Sequence, residues 1–165
     1  VSFWQLFYHI VWTTKEREPR LTADVEPVIH GFLRSKAIGL GAMVFALNGV
    51  EDHVHMIVAI PPKIAVARFI GQVKGVASTR FNKSGLADTP FFWQDEYGVF
   101  SFDGKRLPHY IRYVERQKQH HAQNDIIPIL ERVSDGQVKL LREPSAVYAP
   151  EYDSWCKETA SLKPD

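Results

Sequence analysis

The order of apolar periodicities along this chain predicts an α+β domain. It is a ferredoxin-like (RRM-like) βαββαβ antiparallel sheet with one further helix added C-terminally. Three observations lead there. Stretches rich in β-branched and aromatic residues recur at four places. Two stretches of helical period lie between them. The middle two strands are close enough in sequence to form a hairpin.

Residues 3–14, FWQLFYHIVWTT, are aromatic and β-branched throughout and read as the first strand. The charged segment KEREPR follows as a loop. Thr22 is placed as the N-cap of a helix in which Val25, Val28, Ile29, Phe32 and Leu33 recur at helical spacing. Pro27 fits there if the helix begins near Glu26, because a first turn tolerates proline. The runs AMVFALN and HVHMIVAI form the hairpin, with Asn48-Gly49 as the expected turn. Pro61-Pro62 closes the second of these strands. A second helix follows, with Val66, Phe69, Ile70, Val73 and Val76 on one side. FFWQDEYGVFSFD supplies one or two short strands, and RLPHYIRYVERQKQHHAQ reads as the added helix. Beyond it only IIPILERV has helical character, and the run past Gly136, with Pro144, Pro150 and Pro164, is expected to be irregular.

With 165 residues, 45% of them hydrophobic, the chain fits one domain with a real core. It has no apolar run of about eighteen residues, so no membrane span is expected. VSFWQLFYHIVW opens without a basic leader, and Cys156 is the single cysteine; both point to the cytoplasm. A formal net charge of +1 argues against a broad grip on duplex phosphates. It leaves room for a local basic groove or for stacking of unpaired bases. No phosphate-binding GxxxxGK[ST] loop exists, so no nucleotide cofactor is expected.

His53-Val54-His55 places two imidazoles on one face of a strand, half of a divalent-metal site. Two polar residues on a half-exposed strand would look the same. Tyr113 and Gln117, four apart, share a helix face. The phenol is a possible nucleophile toward phosphorus, and the amide oxygen suits Mg²⁺ or Mn²⁺. A packed tyrosine beside a solvated glutamine is the plain alternative, and Tyr110 and Tyr97 compete for the role. His121 follows Gln117 by four and shares its face, whereas His120 diverges. Asp52, with Glu51, either assists a metal or forms a polar turn. Lys74, Arg80 and Lys83 are candidate phosphate contacts, and Trp93, in the aromatic cluster of residues 91–100, is a candidate base-stacking surface or a core residue.

Four segments then bring a known pattern. YHIVWTTKEREP, EDHVHMIVAIPP, FFWQDEYGVFSF and YVERQKQHH occur in the order seen in small insertion-sequence transposases with a His-hydrophobic-His (HUH) motif and one catalytic tyrosine. That group includes the REP-associated tyrosine transposases, and the resemblance spans about residues 3–122. It implies a transposase domain over residues 1–124, with residues 125–165 as a helical and irregular extension. It further implies a homodimer in which His53, His55 and Gln117 hold Mg²⁺ or Mn²⁺. Tyr113 would attack the scissile phosphate of single-stranded DNA near a hairpin, giving a 5′-phosphotyrosine and a free 3′-hydroxyl. His121 and Asp52 would be accessory. Where the family often has Ile-x-Asn after the tyrosine, this chain has Val114, Glu115 and Arg116. Counting from Tyr110 instead puts Gln117 seven residues on, so Tyr113 is the better register. The rival reading is a domesticated hairpin DNA- or RNA-binding protein that has lost cleavage. A third is a metal-dependent phosphoesterase that needs no tyrosine.

Overall fold

The computed structural model describes residues Val1–Ser134, which form one compact unit. The expected irregular tail past Gly136 and Cys156 lie outside the described residues. The elements are β1 (Phe7–Thr13), α1 (Glu26–Gly39), β2 (Met43–Val50), β3 (His53–Ala59), α2 (Val66–Lys83), β4 (Gly98–Phe102), α3 (Leu107–Glu115) and α4 (Gln117–Ala122), followed by a 3₁₀ turn at Pro128–Glu131. The four strands pair in the order β2-β3-β1-β4, all antiparallel, as the βαββαβ pattern requires. No helix among the described residues is long and apolar enough to cross a membrane.

The sheet is covered on both faces. Ile10 and Trp12 of β1 and Val54, Met56 and Val58 of β3 point one way, into a core closed by Ile29 and Leu33 of α1 and Phe69, Ile70 and Val73 of α2. The other face carries Ala46 and Ile57 and is capped by Tyr113 and Val114 of α3 and by Leu130 of the 3₁₀ turn. β3 is therefore buried at every position. That is the setting of a central strand between two layers, where even its polar residues have no access to bulk water.

Several local expectations are corrected. β1 begins at Phe7, and Phe3 and Trp4 stay exposed. Asn48 and Gly49 lie inside β2, opposite His55 and Val54, so the hairpin turns at Glu51-Asp52 instead. There the Glu51 and Asp52 carbonyls accept from the Leu21 and Thr14 amides. Gly49 is needed for close approach, since a Cβ there would collide with the His53 carbonyl. Thr22 starts the turn into α1 through its carbonyl, which accepts from Val25 and Glu26, while its side chain caps nothing. The expected single helix over residues 106–123 breaks at Arg116 into α3 and α4. IIPILERV forms only the 3₁₀ turn, and Trp93 sits in an isolated bridge to Thr14.

Two of the expected DNA-binding side chains are also corrected. Lys74 is buried, and its ammonium donates to the carbonyls of Gln94, Asp95 and Glu96 at 2.6, 3.2 and 3.5 Å. Burial pushes its pKa down to about 8. Trp93 packs edge-on against Trp12 and Phe91 in the core, with its indole N–H on the Lys74 carbonyl. Both side chains hold the segment before β4 in place, because a buried donor must find an acceptor. Arg80 and Lys83 remain on the exposed side of α2. Lys74→Ala, which leaves those carbonyls without their donor, is expected to cost about 2 kcal/mol of stability. Arg80→Ala should stay within about 0.5 kcal/mol of the parent in the same urea titration. Equal effects would contradict the assignment.

Candidate active site

Antiparallel register places His9, His53 and His55 on one face of the sheet, since Val11 lies opposite His55 and His9 opposite Ile57. The His53 and His55 rings stand side by side with centroids 5.1 Å apart, as their spacing on a strand requires. α3 lies over this face and lowers Tyr113 onto it. The Pro128–Glu131 turn then brings in a carboxylate that sequence reasoning missed. Glu131 Oε1 accepts from the Tyr113 hydroxyl at 2.6 Å, and its Oε2 lies 3.0 Å from His55 Nε2. His53 Nε2 is 3.1 Å from the same oxygen, close enough for ion pairing but off the direction of a hydrogen bond.

Each histidine is held from behind. His53 Nδ1 meets Asp52 Oδ1 at 2.6 Å, and Asp52 in turn reaches Arg17 at 3.4 Å. His55 Nδ1 meets His9 Nε2 at 2.8 Å, deep in the sheet. Both Nδ1 atoms are thus occupied and both Nε2 atoms face Glu131. His53, His55 and Glu131 each offer a ligand atom, and these atoms lie within 4.8 Å of one another, a set of N and O donors that a divalent cation can use. An imidazole anchored through its second nitrogen is the usual partner arrangement for a metal-ligating histidine. Gln117 is fully buried, its Nε2 is 3.5 Å from the Tyr113 carbonyl, and its Oε1 has no partner among the described residues. A buried amide oxygen without a donor keeps its capacity to coordinate a cation. The residues present therefore fit such an ion.

The remaining candidates separate clearly. His121 joins the cluster, its ring 4.7 Å from that of His53 and its Nε2 3.5 Å from Glu131. His120 turns away and stacks on Tyr113 at 4.8 Å. Tyr110 packs on Phe102, and Tyr97 packs on the opposite core, so neither phenol meets the carboxylate. His9 escaped sequence reasoning although it is a polar residue on an otherwise apolar central strand. Glu131 escaped it although it is the one acid in an apolar run.

Charge in the cluster is unevenly shared. Burial opposes ionisation of His53, but the Asp52 and Glu131 carboxylates outweigh it and raise its pKa to about 9. Burial holds His55 below its ordinary value despite Glu131, and lowers His9 to about 3, with His55 adding to the effect. Burial opposes ionisation of Glu131 too, yet the two imidazoles keep its pKa far below the usual carboxylate range. Burial and the facing carboxylate push Tyr113 up to about 12.

Residues 2–117 match the family described as "Transposase IS200 like". This chain belongs to that family. The family is one of transposases, enzymes that cut DNA and transfer strands. The chain is similar to the ISDra2 transposase TnpA of Deinococcus radiodurans, 31% identical over 77 residues, which are 47% of this chain and 55% of that protein. It therefore aligns with little more than half the length of that relative. It is also similar to the IS200 transposase of Salmonella typhimurium, 26% identical over 132 residues, 76% of this chain and 86% of that one. Among solved structures, a chain from D. radiodurans R1 described as a transposase superposes with a TM-score of 0.57 at 25% identity, covering 70% of this chain and 93% of that one. A REP-associated tyrosine transposase, solved bound to a REP hairpin, shares the fold with a TM-score of 0.55 at 12% identity, covering 76% of each chain. The small HUH transposase with a single tyrosine is thus the right frame for this chain.

The raised pKa of His53 has a direct consequence for the metal-free protein. The folded state holds this proton more tightly than the unfolded state, so the stabilisation is complete below pH 6.5 and is lost as pH rises through about 9. Urea midpoints of metal-free protein should fall across that window. The fall should shrink in Asp52→Asn, which removes one of the two carboxylates. A profile identical in both proteins would contradict the pairing.

Proposed function

We propose that this chain is a metal-dependent transposase that cleaves and rejoins single-stranded DNA through Tyr113. The observation that supports this best is the meeting of a single phenol with an anchored His53–His55 pair across one carboxylate. His53 and His55 would hold Mg²⁺ or Mn²⁺, with Gln117 as the expected further ligand, Glu131 as the carboxylate beside it, and His121 and Asp52 accessory. A bound divalent cation supplies Lewis-acid polarisation of the scissile phosphate and stabilises the phenolate and the charge that develops.

The chain's own residues do the rest. Tyr113 Oη forms a bond to phosphorus while the bond to the 3′ oxygen breaks, leaving a 5′-phosphotyrosine and a 3′-hydroxyl. The phenol proton points at Glu131, the acceptor placed to receive it. In the resting arrangement the proton stays on the phenol, because Tyr113 is raised and Glu131 lowered. Attack by the 3′-hydroxyl of another end on the tyrosine link reverses the step. The phosphodiester count is conserved, so no nucleotide cofactor is required.

Hairpin-bearing element ends are the proposed substrate, and support comes from the REP hairpin in the structure that shares this fold. A homodimer working in the cytoplasm is the proposed form. The outer edges of β2 and β4, unpaired among the described residues, leave room for such an assembly. The transposase domain is proposed to span residues 1–124, with residues 125–165 as an extension whose Glu131 serves the site.

Tyr113→Phe should abolish both cleavage and the covalent protein–DNA adduct on labelled single strands, with hairpin binding retained. Tyr110→Phe should form the adduct at the parent rate. Retained hairpin binding without any adduct from the parent protein would favour the domesticated binder, and cleavage by Tyr113→Phe would favour a hydrolytic phosphoesterase. His9→Ala should weaken Mn²⁺ binding about 10- to 100-fold, because His55 loses the partner that fixes its ring. Calorimetric titration checks this, and unchanged affinity would remove His9 from the site.

A further inference from the structure

Beside Tyr113 lies an open cavity of about 270 Å³, lined by His109, Arg112, Tyr113, Arg116, His120 and Ile127. Arg112 and Arg116 are four apart, and His109 and His120 extend the same flank across the α3–α4 break. Every charged or titratable side chain in the wall apart from the phenol is a base. Neither guanidinium pairs with a carboxylate among the described residues, in contrast to Arg17, Arg20 and Lys118, which do. For the basic residues of the wall the one carboxylate contact among the described residues is exposed Asp125, 3.9 Å from His120 Nδ1, while Glu131 reaches only the phenol of this wall. Ile127 contributes its amide, which donates to the Tyr113 hydroxyl at 3.0 Å. The cavity thus shares a wall with the proposed nucleophile, and neither His53 nor His55 lines it.

We propose that this cavity seats a backbone phosphate of single-stranded DNA adjacent to the scissile one. The proposal rests on the reading of Tyr113 as the nucleophile. Two guanidiniums presented from the last turn of α3 and from the α3–α4 break suit the paired oxygens of a phosphodiester. A strand held there is drawn across the phenol, which is how a protein of nearly balanced charge can bind DNA locally. The basic surface that matters is then on the tyrosine helix, while Arg80 and Lys83 on α2 stand apart from it.

The test uses the full chain with EDTA present, so that nothing is cut, and a fluorescent single-stranded oligonucleotide of mixed sequence followed by anisotropy. Arg112→Gln/Arg116→Gln should bind at least about tenfold more weakly, with a salt slope shallower by about 0.7 for each phosphate that is no longer neutralised. Arg80→Gln/Lys83→Gln removes the same charge and should bind within about twofold of the parent. Arg112→Lys/Arg116→Lys should recover part of the affinity, and thermal melts should match throughout. Equal weakening by both glutamine pairs, or no weakening by the first, overturns the proposal. Adduct formation with Mn²⁺ is scored separately. A parent protein that forms no adduct while the arginine pair still governs binding sinks the nucleophile reading and leaves a strand-binding cavity. A parent that forms the adduct, with yield and affinity unmoved by the arginine pair, sinks the cavity alone.

Discussion

Complete burial of β3 on both faces is the constraint on which the rest of this structure depends. A strand with apolar residues on one side and histidines on the other can sit at the centre of a sheet only if its imidazole nitrogens find partners, since unpaired buried polar groups cost about 1–3 kcal/mol each. The fold meets most of this demand from three directions, leaving His9 Nδ1 and His53 Nε2 without a hydrogen bond. The hairpin turn supplies Asp52, the neighbouring strand supplies His9, and the segment after α4 supplies Glu131. The site is therefore part of the second core, and the cap formed by α3 and the 3₁₀ turn is what excludes water from it.

The electrostatics follow from that enclosure. In a dry cluster, charges are held only as pairs. Two carboxylates and a protonated His53 share the cluster, while His55 and His9 are kept neutral by burial. Neutral imidazoles are the form that binds a metal, so His53 would have to give up its proton to any ion held there. Glu131 sits at the junction, touching the phenol and lying against both histidines.

The family match ends at residue 117, whereas Glu131 and Leu130 lie beyond it and complete the second core. Gly98 shows how closely this segment is fitted, since a Cβ there would run into the backbone carbonyl of Arg132. The part of the chain that matches the family thus builds the sheet and presents the tyrosine. The part outside that match closes the site.

By itself the sequence determined the α+β class, the strand and helix order, and the pairing of His53 with His55, because these depend on periods of two and 3.6 residues and on turn chemistry within short windows. Spacing alone left Tyr110 and Tyr97 in competition with Tyr113, and only the family resemblance favoured Tyr113. Only the tertiary structure decided which residues serve the histidines, because His9 and Glu131 come from 46 residues before and 76 residues after His55. It alone showed that Asn48-Gly49 continues a strand, since the turn's position is set by the register that buries both faces of β3. It alone moved Lys74 and Trp93 into the core. A lysine or tryptophan at helical or loop spacing has no local signature of burial; its fate depends on whether distant carbonyls and rings arrive to receive it.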